Sequence, residues 1–164
     1  MFIFGHIGIS VVLLYLINKK FNFPVDYRYV ILGSMLSDII DKPLGNILLY
    51  GIVNNGRIFG HTLLFALLLT IIGVYRKKVL QIAYGVWTHL ILDRIWLNPV
   101  TLMWPLLGNF MKADFEFWHF TVTIREPYNI IGEVAGISIL LLLMIRHKLY
   151  IGQKLRAFLK NGRL

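Results

Sequence analysis

The chain has 164 residues, of which 57% are hydrophobic and 15% are charged, and its mean hydropathy is +0.68. This apolar fraction is well above that of soluble domains and indicates an integral membrane protein. Cysteine is absent, which excludes disulfides, thiolate zinc sites and cysteine nucleophiles, and the net charge of +9 must be explained by where the basic residues lie.

Five apolar segments predict an all-α polytopic bundle of about five transmembrane helices. They cover residues 2–17, 28–41 with a continuation to about 53, 62–75, 79–97 and 129–145. Some are shorter than the ~20 residues of an ideal span, which local thinning of the bilayer tolerates. The second segment is expected to break near Pro43, because proline has no N–H and disfavours helical geometry before it.

This pattern predicts a membrane bundle over residues 1–145, which includes an aromatic outer interfacial loop at 98–128. A basic amphipathic tail follows at 146–164. The first segment is expected to be a retained anchor, because its positive charges come after the apolar run and not before it.

Basic residues concentrate after the first, third and fifth segments. The positive-inside rule therefore predicts a multi-pass plasma-membrane protein with its N-terminus outside and its C-terminus in the cytoplasm. The tail is expected to lie on anionic lipid headgroups, so membrane lipids are the predicted partners and nucleic acid is not. These basic residues are Lys19, Lys20, Arg28, Arg76, Lys77, Lys78, Arg146, Lys148, Lys154, Arg156, Lys160 and Arg163.

Acidic and histidine residues inside the apolar segments fall in one half of the membrane. At ~1.5 Å per residue, they lie within ~12 Å of the outer helix ends. A charge in hydrocarbon is costly, so such residues indicate a functional site. They are His6, Asp38, Asp41, His61, His89, Asp93 and Glu133.

The spacing of these residues favours a metal centre. Asp38 and Asp41 are three residues apart and His89 and Asp93 four apart, so each pair shares a helix face. Helical bundles bind metals through inward carboxylates and histidines of this kind. One or two divalent ions are expected, with zinc favoured and manganese the alternative. The predicted ligands are His6, Asp38, Asp41, His61, His89 and Asp93, with Glu133 as a possible addition.

Simpler explanations stay open for each residue. Asp38 can form an ion pair with Lys42, His89 can hydrogen-bond Asp93, and His61 with Thr62 can cap a helix. Glu133 is expected to hydrogen-bond within the bundle unless it joins the site. Arg57 and Lys42 either bind an anion or extend to the headgroups, and Arg94 is expected to extend to them.

The loop at 98–128 is rich in aromatic residues, among them Trp104 and Trp118. Aromatic side chains favour the membrane interface, so an outer belt is the simpler interpretation. The alternative is a lid that admits a lipid-linked substrate from the side. A partial alternation at residues 115–124 is compatible with a short extended stretch.

Several motifs resemble one family. The runs FGHIG at 4–8, GSMLSDIIDKPLG at 33–45, GRIFGHTLLF at 56–65, HLILD at 89–93 and WPL at 104–106 resemble, in order and spacing, the YdjM-like predicted membrane-bound metal-dependent hydrolases in their archaeal form. Ser37 replaces the usual proline, and Asp-x-x-Asp replaces the frequent Asp-x-Asp. This leaves open which of Asp38 and Asp41 is the inner ligand.

The resemblance implies hydrolase chemistry. We expect a metal-activated water to attack a phosphoester in a lipid or lipid-linked substrate. Asp38 or Asp93 is the expected general base, and Arg57 and Lys42 are expected to hold the phosphate. The alternatives are a proton- or metal-ion-coupled carrier, and a structural membrane protein with a buried polar cluster.

Overall fold

The computed structural model describes residues 2–112 and 125–164. The part of the chain that it describes is helical and contains no strand. The helices are α1 (Ile3–Phe21), α2 (Tyr27–Pro43), α3 (Leu63–Tyr75), α4 (Lys77–Leu92), α5 (Pro99–Leu102), α6 (Pro127–Arg146) and α7 (Gly152–Asn161).

Helix α4 packs against α2 and α3, and α1 packs against α6 and α2. The contact between α1 and α6 is made by two glycines, since a Cβ on Gly8 would lie 2.5 Å from the carbonyl oxygen of Gly136. Small residues let helix backbones approach closely in a membrane. This contact brings α6, which is distant in sequence, against the amino-terminal half of α1.

Helix α2 ends at Pro43, and the chain continues directly into a π-helical turn at Leu44–Leu48. The expected disruption is therefore a change of hydrogen-bonding pattern after Pro43. The chain then turns back, and the 3-10 turn Phe59–His61 contacts α2 before α3 begins. Thr62 caps α3 by accepting a hydrogen bond from the Phe65 N–H at 3.1 Å.

The carboxy-terminal tail is docked onto the protein. Phe158 and Leu164 pack against a core cluster that includes Val11, Tyr27 and Leu143. Leu155 and Leu159 are exposed on α7. The tail therefore uses one apolar residue of its helix for the bundle and leaves two others exposed.

Among the described residues, two helices are long and apolar enough to cross a membrane by length and composition, Ile3–Phe21 and Pro127–Arg146. The apolar α3 has 13 residues and falls short of that length. The expectation of five spanning helices is therefore not supported by this criterion. The predicted loop at 98–128 contains α5, and its residues 113–124, including Trp118 and the expected extended stretch, lie outside the described part.

Candidate metal centre

Helices α2 and α4 meet backbone to backbone at two glycines. A Cβ on Gly85 would lie 2.5 Å from the Ser34 nitrogen, and one on Gly33 would collide with the Ile82 carbonyl. This approach lets the His89 ring reach the α2 backbone, where its Nδ1 lies 2.7 Å from the Ser34 carbonyl oxygen. A carbonyl oxygen only accepts, so Nδ1 donates and Nε2 keeps its lone pair.

A buried carboxylate orients the second histidine. Asp41 is fully buried, and its oxygens accept hydrogen bonds from the backbone N–H groups of Ile58, Gly60 and His61 at 2.7, 2.7 and 3.1 Å. Its Oδ2 also accepts from His61 Nδ1 at 2.7 Å. In the neutral ring, His61 Nε2 therefore carries the lone pair as well. The loop is fixed further by Ser37, whose hydroxyl donates to the Gly60 carbonyl at 2.7 Å.

The two Nε2 atoms face each other 3.2 Å apart, and Asp38 Oδ1 lies 3.7 Å from that of His61 and 3.8 Å from that of His89. The point equidistant from these three atoms lies ~2.1 Å from each, which is the distance at which zinc binds imidazole nitrogen and carboxylate oxygen. All three side chains are buried. The spacing of these three donor atoms is therefore compatible with one divalent ion.

A second group of candidate ligands comprises His6, His89 and Asp93. The His6 ring stacks on the His89 ring with centroids 4.0 Å apart, and its Nε2 lies 3.1 Å from Asp93 Oδ1. Asp93 Oδ2 is also 3.8 Å from His61 Nε2. Both groups contain His89, and its Nδ1 is used by Ser34. The remaining nitrogen binds one ion at a time.

Two cations border the cluster on its accessible side. Arg57 Nη2 lies 2.8 Å from Asp93 Oδ2, and Lys42 Nζ lies 2.7 Å from Asp38 Oδ2. The side chains of Arg57 and Lys42 are 46% and 54% exposed, whereas their carboxylate partners are nearly buried. The pairing of Asp38 with Lys42 expected as the simpler explanation is therefore present, together with the proximity of Asp38 to both histidines.

Among the predicted ligands, the structure brings His6, Asp38, His61, His89 and Asp93 together. Asp41 lies beside them but belongs to neither group, because its oxygens face backbone N–H groups and His61 Nδ1. Asp41 is placed to orient a ligand.

Glu133 lies at the amino terminus of α1 and belongs to neither ligand group. Its carboxylate accepts hydrogen bonds from the backbone N–H groups of Phe4 and Gly5 at 3.0 and 2.9 Å. A carboxylate at this position satisfies N–H groups that have no partner within the helix and complements the helix dipole. Glu133 thus follows its simpler interpretation, as a hydrogen-bonding residue of the bundle.

The model of the family described as YdjM inner membrane protein matches residues 1–155. The chain belongs to the YdjM family. No curated protein and no solved structure gives a significant match. The YdjM match and the two apolar helices agree on an inner membrane protein. Assignment to an archaeal branch stays a prediction.

The aromatic residues near the YdjM site form a cluster on the turn that carries His61. Phe59 makes edge contacts with Trp104 and Phe110 at 5.1 and 4.9 Å, and those two rings stack at 5.1 Å. Trp104 is therefore beside the candidate site. Arg94 does not extend freely to headgroups, since its guanidinium lies over the Tyr128 ring at 3.7 Å.

Sequence reasoning missed the residues that orient the site. Ser34 acts through its backbone carbonyl, which leaves no trace in residue type. Gly33 and Gly85 were a usable signal, because glycine within an apolar helix often marks a close helix contact. In the sequence, Ser37 is only a departure from the YdjM-like pattern, and its hydrogen bond to the His61 loop is visible only in the structure.

Proposed function

We propose that this YdjM-family protein is a membrane-embedded metal-dependent hydrolase acting on a phosphoester of a lipid or lipid-linked molecule. The observation that carries the proposal is the triangle of His61 Nε2, His89 Nε2 and Asp38 Oδ1, with side lengths of 3.2, 3.7 and 3.8 Å. Two lone pairs that face each other beside a carboxylate call for a cation between them.

One ion is favoured over two, because His89 offers one nitrogen to both ligand groups. Ligands of imidazole and carboxylate without sulfur favour zinc, with manganese as the alternative. When bound, the ion supplies Lewis acidity and lowers the pKa of a coordinated water. Asp41 orients His61 in this scheme and is not needed as a ligand.

The protein's own groups then have distinct tasks. Asp93 is the carboxylate outside the His61–His89–Asp38 triangle, and His6 holds its Oδ1 at 3.1 Å. We assign Asp93 as the base that accepts a proton from the attacking water. Arg57 and Lys42 are cationic and about half exposed, so they are placed to bind the phosphate oxygens.

In this proposal, α2, α3 and α4 lie in the bilayer beside α1 and α6. We propose a multi-pass plasma-membrane topology with the N-terminus outside and the C-terminus in the cytoplasm. The supporting observation is that the basic residues around Arg28, Lys78 and α7 cluster at the end of the bundle opposite the histidines. The site then opens toward the outer headgroups.

Metal analysis tests the centre. Purified protein is expected to hold about one equivalent of zinc or manganese, and His89→Ala and Asp38→Asn are expected to lose it. His147→Ala is the matched control, since this ring contacts Tyr15 far from the cluster. A content well below one equivalent in the native protein contradicts the proposal.

Asp93→Asn separates chemistry from metal binding. It is expected to retain the ion and to lose phosphoester hydrolysis, since an amide does not accept the proton. Loss of the ion in this variant would instead make Asp93 a ligand.

A proton-coupled carrier is the second candidate, and one observation favours it. An extra proton shared between His61 Nε2 and His89 Nε2, 3.2 Å apart, would satisfy the same lone pairs as a metal. The buried hydroxyls of Ser10 and Thr88, 2.7 Å apart, extend polar groups deeper between α1 and α4. Proton flux into proteoliposomes from metal-free protein would support the carrier, and its absence together with bound metal would support the enzyme.

A further inference from the structure

Two exposed apolar segments border the cationic side of the candidate site. One is the turn after α2, where Ile47, Leu48 and Ile52 are 73%, 73% and 72% exposed. The other follows α5, where Leu106 and Met111 are 79% and 60% exposed. We call these five residues the apolar rim. Large exposed apolar patches indicate contact with lipid, a ligand or a partner.

Hydrogen bonds join the two segments of the rim next to the cations. The Asn55 side-chain amide donates to the Met111 carbonyl at 3.1 Å and accepts from the Arg57 N–H at 2.9 Å. On the other side, a Cβ on Gly56 would lie 3.5 Å from Lys42 Cγ. The rim and both cations therefore belong to one continuous surface.

The polarity of this surface complements that of an anionic amphiphile. Its centre holds two half-exposed cations beside carboxylates, and its border is apolar. A small water-soluble anion would use the centre alone. An anionic headgroup with a hydrocarbon chain would use both, with the charge on the cations and the chain over the rim.

We propose that the apolar rim receives the hydrocarbon chain of an amphiphilic phosphoester that enters from the bilayer, while Arg57 and Lys42 hold its headgroup. This inference rests on the proposed function and adds how the substrate is selected. The enzyme then discriminates by chain as well as by phosphate, and each methylene buried against the rim adds to affinity.

A chain-length series tests the rim. Zinc-loaded protein in phosphatidylcholine nanodiscs is titrated with butyl, octyl and dodecyl phosphate by calorimetry. The double variant Ile47→Ser with Ile52→Ser removes part of the rim. The control is Leu141→Ser with Leu142→Ser, which changes exposed leucines of α6 and experiences the same partitioning of the ligands into the bilayer.

We expect affinity to rise with chain length in the native protein and in the control. In the rim variant, dodecyl phosphate should bind about tenfold more weakly, a loss of about 1.4 kcal/mol, while butyl phosphate binds as before. An unchanged ratio of dodecyl to butyl affinity in the rim variant would overturn the inference.

Hydrolysis assays separate this inference from the proposed function. If the rim variant loses its chain-length preference while the native protein cleaves no phosphoester, the rim binds amphiphiles and the hydrolase proposal fails. If short and long esters are cleaved equally by native protein and rim variant, the hydrolase stands and the rim is only a membrane contact.

Discussion

The two central histidines owe their orientation to different partners. His89 donates to the Ser34 carbonyl, and His61 donates to the Asp41 carboxylate, both at 2.7 Å. Each contact leaves Nε2 directed to the common centre. Residue type and depth in the membrane predicted that both histidines lie in one cluster, and the structure brings them together, while their role as metal ligands stays a prediction. Their partners were not predictable, because they lie on another helix and one of them is a main-chain atom.

Asp41→Asn is expected to destabilise the protein with or without metal. An amide offers one acceptor where the carboxylate receives four N–H groups, so buried donors lose their partners at a cost of about 2–4 kcal/mol. Thermal unfolding of the metal-free protein in detergent measures the effect. Weaker zinc binding should accompany it, because the His61 ring is no longer held.

Asp38→Asn is the comparison for that experiment. Asp38 accepts from Lys42 at 2.7 Å, and Lys42 is half-exposed and can turn to solvent, whereas Asp41 accepts from four N–H groups, so replacing Asp38 leaves fewer buried donors without a partner. Its metal-free melting temperature should therefore stay close to that of the native protein while zinc binding is lost. Equal destabilisation by both variants would contradict the distinct roles of the two aspartates.

The close contact between α2 and α4 depends on two glycines, Gly33 and Gly85. Gly85→Ala places a methyl group against the Ser34 nitrogen and the Val30 carbonyl, so the helices must separate. Overpacking of this kind costs about 1–3 kcal/mol and moves His89 from Ser34. Melting temperature and zinc affinity should both fall. Gly152→Ala, with nothing within 4 Å of the added methyl, is the control and should change neither.

The docked tail is expected to loosen in acid. The Arg28 guanidinium, hydrogen-bonded to Asp26, holds the pKa of that carboxyl below its usual range, and Arg28 also donates to the carbonyls of Leu159 and Lys160 at 2.7 and 3.0 Å. Protonation of Asp26 removes the partner that holds the Arg28 guanidinium against these tail carbonyls, so docking is expected to persist above the ordinary carboxyl pKa of ~3.9 and to weaken as pH falls through the lowered pKa.

A spin label on Leu155→Cys reports this change as increased mobility below about pH 4. Asp26→Asn should show the mobile spectrum already at pH 7, with no further change in acid. A label equally immobile at both pH values in the native background would disprove the role of the pair.

Helical segments were predictable from hydrophobic runs, but their ends were not. The second apolar segment continues past Pro43 and changes there from an α-helix to a π-helical turn. The tail was expected on lipid, yet Phe158 packs in the bundle while Leu155 stays exposed. Amphipathic periodicity defines a face and does not say which surface covers it.

At the scale of the whole molecule, the absence of cysteine offers a direct test of topology. Tyr50→Cys and Lys154→Cys introduce single thiols at exposed positions near opposite ends of the bundle. In intact cells, an impermeant maleimide should label position 50 and leave position 154 unlabelled until the membrane is opened. Labelling of both, or of position 154 alone, would contradict the proposed orientation.

The ionisable residues of distant segments were predicted to converge, and five of the predicted ligands do. Their convergence was predictable because a charged side chain in hydrocarbon is costly, which restricts the depth at which such residues occur. The number of spans was less predictable, since several apolar helices are shorter than the bilayer and length alone does not settle their position.

The hydrogen bonds from the first turn of α1 to the Glu133 carboxylate of α6 have a consequence for biosynthesis. The Glu133 carboxylate accepts from the Phe4 N–H across 129 residues of sequence, so a nascent chain carries α1 without this partner until α6 has left the ribosome. His6 lies in the adjoining turn and reaches its final position only then. Chains that end before α6 are therefore expected to leave the group of His6, His89 and Asp93 incompletely assembled, so the time at which α6 is translated sets the time at which this group forms.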